Sequence, residues 1–246
     1  AYRSGDPWPK SPVHVEYMGK VRDLNLWQLS IASGQFTPNK GLLLPAVKVD
    51  VHLAFEGGKG GFLPSGRQGV PFDGNGDPSN PDGVNPLYAS AINAAALQHH
   101  LYESELVLTP ICWGYEYLII TDPAFRAAAD TLRAWKVSKG LSTLVVETGA
   151  GAGKAGTTNT QIRDYIKSKY DGCLVRPSYV LLLGDAEHIA PFYRSTQYGD
   201  LAGTDLDYSL MSGADILPDL AYGRIPVDTL DDANKVIDKI VDYEKT

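Results

Sequence analysis

The chain contains little cysteine, little positive charge and no long apolar run. With two cysteines in 246 residues and no Cys-x-x-Cys spacing, it is neither a disulfide-rich scaffold nor a zinc-finger protein. Its formal charge of -7 argues against nucleic-acid binding, which requires basic patches against phosphate. No apolar run approaches the roughly 18–20 residues that a membrane helix requires.

The composition is that of a folded globular protein. The chain is 43% hydrophobic and 21% charged, and its length suits one large domain or two smaller ones. Residues 1–5 lack the charged and apolar regions of a signal peptide, so they suit a start that is created by processing. The abrupt end after a helical pattern predicts a fragment of a longer protein.

The first 110 residues are dominated by alternating apolar and polar side chains. Val13, Val15 and Tyr17 alternate with polar residues, and another alternating run spans 47–55. A period of two indicates strands with one buried and one wet face, as in antiparallel sheets. Residues 56–87 are rich in Gly, Pro, Asn and Asp, which indicates a long loop and a candidate processing site. We therefore predict a β-rich region over 1–110.

From residue 113 onward, short apolar runs alternate with helical patterns. The runs 117–121, 144–146, 179–184 and 220–225 suit strands that are buried on both faces. Between and after them, apolar residues recur at helical spacing behind capping signals at Asp122-Pro123, at Thr158 with Gln161, and at Asp228. Strands and helices in alternation predict a parallel α/β sheet with right-handed crossovers.

Ligands of open parallel sheets collect at the carboxyl ends of the strands, which directs attention to three loops. Loop 148–155 is glycine-rich but lacks the first glycine and the Ser or Thr of a phosphate loop, so a flexible turn is the stronger interpretation. Asp185 directly follows a strand and could be a ligand or a turn former. Asp215 and Asp219, on either side of Pro218, have carboxylates and neighbouring carbonyls that suit calcium, although a solvated acidic turn remains an alternative.

The cysteines and histidines do not form a convincing catalytic pair. Cys173 precedes the predicted strand 179–184 and His188 follows it, so about six strand residues, or roughly 20 Å, separate them, whereas a Cys–His dyad needs contact. For Cys112 and Cys173, burial as small apolar residues and a single disulfide both remain open. The residues alone therefore identify no active site.

Four motifs nevertheless occur in a recognisable order between 113 and 246. They are segments 116–122 and 179–185, the series Gly213, Asp215, Asp219, Gly223 and Arg224, and a closing helix with Asp238, Tyr243 and Glu244. In this order they resemble the gingipain-type cysteine peptidases. Residues 1–110 resemble, more weakly, the β-rich pro-domain that precedes the catalytic domain of that family.

This resemblance implies a fold, and it implies that the catalytic residues lie outside this chain. The implied fold is α/β, with a parallel caspase-like sheet flanked by helices and preceded by a β-rich antiparallel N-terminal domain. Residues 113–246 would be the first subdomain, while the catalytic cysteine and histidine of the family belong to a second subdomain. The resemblance therefore implies a secreted endopeptidase of proteins or peptides, whose catalytic groups lie on a second polypeptide or a downstream subdomain. It assigns no residue of this chain to catalysis.

The resemblance also implies a structural calcium ion. Carried over position by position, Asp185, Asp215 and Asp219 would supply carboxylate oxygens, and Ser212 and Leu217 would supply backbone carbonyls. Two other functions remain open at this point. One is a non-catalytic calcium-binding interaction module, and the other is a nucleotide-binding α/β enzyme that uses the glycine-rich loop.

Overall fold

The computed structural model describes residues 5–22, 24–54, 91–92 and 112–245. Its N-terminal part forms two antiparallel hairpins, one of strands β1 and β2 and one of strands β3 and β4. These strands span Val13–Val21, Leu24–Ile31, Gly34–Thr37 and Leu42–Pro45. The predicted antiparallel N-terminal strands are thus confirmed for 13–45.

The strand that alternation predicts over 47–55 is wrong for its described part, 47–54, which has no regular secondary structure. Val47 is 99% exposed, so the apolar positions of this run do not face a core. Period two indicates a strand only where a neighbouring strand is available to pair with it. The predicted loop at 56–87 lies outside the described residues.

The C-terminal part is built on a four-stranded parallel sheet with the order β12-β9-β6-β7. These strands are β6 (Tyr117–Thr121), β7 (Thr143–Glu147), β9 (Tyr179–Leu183) and β12 (Ala221–Ile225). Three helices connect or follow them: α1 (Arg126–Ser138), α2 (Asn159–Gly172) and α3 (Leu230–Glu244). The predicted parallel sheet flanked by helices, after antiparallel N-terminal strands, is confirmed.

Two smaller strand pairs accompany the sheet. The first is a parallel pair of short strands, β5 and β8, and the second is an antiparallel hairpin of β10 and β11. They span Cys112–Gly114, Cys173–Val175, Phe192–Ser195 and Leu201–Thr204. None of the helices in the described ranges has the length and apolarity required to cross a bilayer.

Each face of the parallel sheet buries its own core. On one face, Leu118, Ile120 and Leu182 pack with Ile162 and Ile166 of α2. On the other face, apolar side chains of the strands pack with α1 and α3; the set includes Ile119, Val145, Leu181, Leu132 and Ile237. Continuous apolar runs, rather than alternating ones, follow from burial of both faces.

The helix starts agree with two of the three predicted capping signals. Thr158 and Gln161 form the predicted capping box at α2, and Asp122 accepts a hydrogen bond from the backbone N–H of Ala124 ahead of α1. The predicted cap at Asp228 is wrong, because the hydroxyl of Thr229 accepts the hydrogen bond from Asp232 N–H at 3.1 Å instead. Asp and Thr side chains can both cap a helix, and in this chain Thr229 rather than Asp228 is the cap of α3.

The last helix is held to the first by Glu244. Its carboxylate accepts hydrogen bonds from Trp135 Nε1 at 2.8 Å, Lys136 Nζ at 2.6 Å and Lys139 Nζ at 3.1 Å. Partial burial opposes ionisation, but these donors outweigh it and lower the pKa of Glu244 to about 2. The carboxylate therefore stabilises the docking of α3 on α1.

This cluster predicts a pH-dependent contribution to stability. Because the pKa of Glu244 is lowered on folding, its contribution is present above the ordinary value of 4.5 and is lost as the pH falls from there towards about 2. At pH 7, Glu244→Gln should lower the free energy of unfolding by about 1–3 kcal/mol, after allowance for solvent screening. Urea unfolding of both proteins between pH 7 and pH 2 measures the difference, which should shrink towards zero at the acid end.

The matched control is Asp242→Asn in the same helix. The Asp242 side chain is 78% exposed, so this change should cost less than about 0.5 kcal/mol. A Glu244→Gln effect that does not depend on pH would contradict the assignment of the stabilisation to the carboxylate.

Candidate functional site

Polar side chains converge where three parallel strands end. Asp122 follows β6, Asp185 follows β9, and Asp228 lies three residues beyond β12. His188 lies in the loop after β9. We refer to this end of the sheet as the carboxyl edge, and it is where open parallel sheets usually bind ligands.

His188 is held in a defined position at the carboxyl edge. Its Nδ1 atom lies 3.2 Å from Asp122 Oδ2, and its ring meets the ring of Phe125 edge-on, with 4.7 Å between centroids. Gly184 has a φ of +134°, and a Cβ atom there would lie 2.9 Å from His188 Cβ. The carboxylate, the aromatic ring and the glycine together position the imidazole.

The carboxyl groups of Asp185 and Asp228 lie close together beside His188. Partial burial raises the pKa of Asp185, but hydrogen bonds from Glu187 N–H and from the Asp228 carboxyl outweigh it and leave this pKa below its ordinary value. The same hydrogen bond, together with the charge of Asp185, raises the pKa of Asp228. Ligand atoms of Asp185, His188 and Asp228 all lie within 4.8 Å of one another, so the three groups act electrostatically as one cluster.

The thiols lie at the opposite end of the sheet and are not free. Cys112 in β5 and Cys173 in β8 are joined in a disulfide, which resolves the two alternatives that the sequence left open. Because the chain has two cysteines in all, no thiol is available as a nucleophile in this oxidised state. The pairing of Cys173 with His188 that the sequence argues against does not occur.

The five predicted calcium ligands do not lie at one site. Asp185 follows β9, whereas Asp219 precedes β12, and the two strands are parallel with Ala221 opposite Tyr179. The strand ladder, at about 3.3 Å per residue, therefore separates the two carboxylates by roughly 15 Å or more. Ligands of one calcium ion lie 2.3–2.6 Å from it, so Asp185 cannot share an ion with the others. Ser212, Asp215, Leu217 and Asp219 form a separate group before β12.

In that group the carboxylate oxygens already accept hydrogen bonds from backbone N–H groups. Asp215 accepts from Leu217 and Lys20, at 2.9 and 2.7 Å. Asp219 is fully buried and accepts from Met211, Ser212 and Arg22. Burial raises the pKa of Asp219, although these donors oppose the shift. In this arrangement the residues present do not fit a calcium ion, and calcium binding by the chain stays a prediction.

The family is decided by a comparison with known proteins. The family model for peptidase family C25 matches residues 114–246, which is more than half of the chain. The chain belongs to peptidase family C25. The matched residues contain the parallel sheet, the disulfide strand β8 and the carboxyl edge.

Individual relatives agree with this family. Lys-gingipain of Porphyromonas gingivalis is 25% identical over 236 residues, which cover 94% of this chain and 12% of that protein. Among solved structures, one described as a protease is 27% identical, with a TM-score of 0.45, and covers 58% of this chain and 30% of that one. The Arg specific cysteine proteinase gingipain R is 23% identical, with a TM-score of 0.44, over 55% of this chain and 30% of that one. The chain thus spans a small part of the curated relatives that it matches.

The glycine-rich loop of this C25 region is closed by contacts within the chain. The backbone N–H of Gly149 donates to Gly156 O at 2.9 Å, and that of Ala155 donates to Glu147 O at 2.9 Å. The ammonium group of Lys154 contacts the Glu147 carboxylate. Loops that bind phosphate need free N–H groups and a free lysine. This structure favours the turn interpretation over the nucleotide-binding one.

Sequence reasoning missed two features of the C25 region. The sequence analysis assigns Asp122 and Asp228 to helix caps, yet both follow strands, and the rule that parallel strands end at one edge of the sheet groups them with Asp185. For Arg22, no pattern in the sequence indicated a role. It is buried against the segment that contains Asp219, although a charged residue at a hairpin turn is usually exposed.

Proposed function

We propose that this chain is the supporting part of a secreted cysteine endopeptidase whose catalytic cysteine and histidine lie on another stretch of polypeptide. Membership of peptidase family C25 supports the reaction class. The observation that carries the proposal is the disulfide between Cys112 and Cys173, because it leaves this chain without a thiolate to attack a peptide carbonyl.

The strand β12, which lies at one side of the sheet, supports the presence of a partner subdomain. Within the part of the chain that the structure describes, β12 pairs with β9 and has no strand on its other side. It is also more exposed than β7 at the opposite edge, with Tyr222 on the surface. An unpaired edge strand presents free N–H and C=O groups that another strand can bind. A second polypeptide or a downstream subdomain could extend the sheet beyond β12. Its own strand ends would then lie beside the carboxyl edge of the sheet in this chain.

In that arrangement the residues at the carboxyl edge of this chain position other side chains and do not themselves react with the substrate. Asp122 and Phe125 orient His188 at the carboxyl edge, and Asp185 shapes the turn that holds it. The partner subdomain would supply the thiolate, the histidine that relays the proton, and the oxyanion-binding amides, while proteins or peptides would be the substrates.

Secretion and an N-terminal pro-region belong to the same proposal. A disulfide persists in oxidising compartments and is rare in the cytosol, which supports an extracellular location. Residues 1–110, of which the described strands are antiparallel, would act in folding or as a pro-region that is removed by processing.

Peptide hydrolysis tests the proposal. In reducing buffer, the product of the complete gene should hydrolyse peptides and lose this activity on alkylation, whereas the 246-residue chain alone should show none. Hydrolysis by the isolated chain at a rate comparable to that of the complete product would contradict the proposal. The Cys112→Ser variant of the complete product is the matched control, and it should keep thiol-dependent activity.

A further inference from the structure

The turn between β1 and β2 is buried, although the rest of that hairpin is not. Val21 and Arg22 are 0% and 1% exposed, whereas Val15, Tyr17 and Trp27 on the two strands are largely exposed. We refer to residues 19–22 as the hairpin tip. A hairpin that is buried at its turn is anchored there rather than along its faces.

The hairpin tip is bound by the segment that precedes β12. Lys20 N–H donates to Asp215 Oδ2 at 2.7 Å, and Arg22 N–H donates to Asp219 Oδ1 at 2.5 Å. The Arg22 guanidinium donates through Nη1 to the carbonyls of Pro177, at 3.1 Å, and Asp219, at 3.0 Å. It also lies 5.2 Å from the centroid of the Tyr170 ring. The contacts with Asp215 and Asp219 join residues 195 and 197 positions apart, so they connect the N-terminal strands to the C25 region.

Backbone geometry at the hairpin tip matches this close approach. Gly19 has a φ of +146°, and a Cβ atom there would lie 2.7 Å from Asp215 Cγ. Arg22 has a φ of +53°, a conformation that non-glycine residues adopt at a cost. The surrounding contacts hold the tip in this conformation.

We propose that Asp215 and Asp219 form the docking site of the hairpin tip, with Arg22 as its anchor, and that this contact keeps calcium off both carboxylates. The two carboxylates that the family resemblance offers to calcium are instead bound to Lys20 and Arg22 of the same chain. The docking site lies at the amino end of β9 and β12, opposite the carboxyl edge. The tip of the first hairpin is thus attached at the end of the sheet that lies away from His188.

Amide hydrogen exchange of the full chain tests the docking site. In Gly19→Ala, which forces Asp215 away, and in Asp219→Asn, which weakens the acceptor, the Lys20 and Arg22 amides should exchange about tenfold faster or more. Gly41→Ala is the matched control, because Gly41 also has a positive φ but no atom within 4 Å of its added Cβ. Unchanged exchange in either variant would overturn the proposal. The amides of β9 report in the same experiment whether a variant is folded, and if Asp219→Asn is not, Gly19→Ala carries the test.

Calcium provides the second readout. Calcium chloride at about 10 mM, above the Kd of weak extracellular sites, should leave the melting temperature of the wild-type chain unchanged, because a ligand of the folded state would raise it. A rise in the wild type that disappears in Asp219→Asn would overturn the proposal. A rise that Asp219→Asn retains would place the ion elsewhere and leave the docking site as proposed.

Discussion

Removal of the Cys112–Cys173 disulfide is expected to lower the free energy of unfolding by about 4 kcal/mol. The two cysteines are 61 positions apart, and the chain-entropy account gives a value of this size for a loop of that length. The loop contains β6, α1, β7 and α2, which make up half of the sheet and two of its helices. Without the cross-link, this long segment gains conformational entropy in the unfolded state, and the folded state becomes less stable by comparison.

The measurement is urea unfolding of the Cys112→Ser/Cys173→Ser double variant, which leaves no unpaired thiol. The wild-type chain in reductant is the control, and its unfolding curve should match that of the double variant. A loss of less than about 1 kcal/mol would show that the disulfide does not constrain the unfolded chain in this way.

Replacement of Arg224 by alanine is expected to lower the free energy of unfolding by about 2–3 kcal/mol. Arg224 binds the two carboxylate oxygens of Asp205 at 2.8 and 2.7 Å, and its Nη1 donates to the carbonyls of Gly184 and Asp185 at 2.8 and 3.0 Å. The side chains of this ion pair are 14% and 18% exposed, so removal of the guanidinium leaves a poorly solvated carboxylate and takes one donor from each carbonyl, of which that of Asp185 keeps Ile189 N–H.

Arg194 provides a matched control for Arg224. It also binds both oxygens of one carboxylate, that of Asp207. Asp207 is 17% exposed, much like Asp205, but the Arg194 side chain is 46% exposed. Because water screens this guanidinium, Arg194→Ala should cost less than Arg224→Ala, about 1 kcal/mol. Arg224→Lys should recover little of the loss, because an ammonium group cannot reproduce the two-point contact. Equal losses for the two alanine variants, measured by urea unfolding, would contradict the role given to Arg224.

The four strands of the parallel sheet and its three helices could be predicted because their signals are local, whereas the short strands β5, β8, β10 and β11 were not. Runs such as 179–183 are apolar throughout and bury both faces, and the capping box of Thr158 and Gln161 fixes the start of α2 within four residues of sequence. The alternating run 47–54 failed because its pattern says nothing about whether a partner strand is present. Asp228 and Thr229 are both good caps, and sequence alone does not rank them.

The site was harder to predict because it depends on which end of the sheet each loop occupies. The family resemblance assigns Asp185 and Asp219 to one calcium ion, but strand direction places them at opposite ends of the sheet. The anchor Arg22 meets Asp219 across 197 positions of sequence, and no local pattern encodes such a contact. In contrast, the resemblance to gingipain-type peptidases pointed to the family correctly, because it used the order of several motifs.

The most direct test of the account is to locate the nucleophile. The product of the complete gene, while active, is labelled with an alkylating peptide inhibitor, and the modified residue is identified by mass spectrometry of its peptides. We predict that the label lies on a cysteine outside residues 1–246, with Cys112 and Cys173 still joined. A label on Cys112 or Cys173 that accompanies loss of activity would contradict the supporting role proposed for this chain.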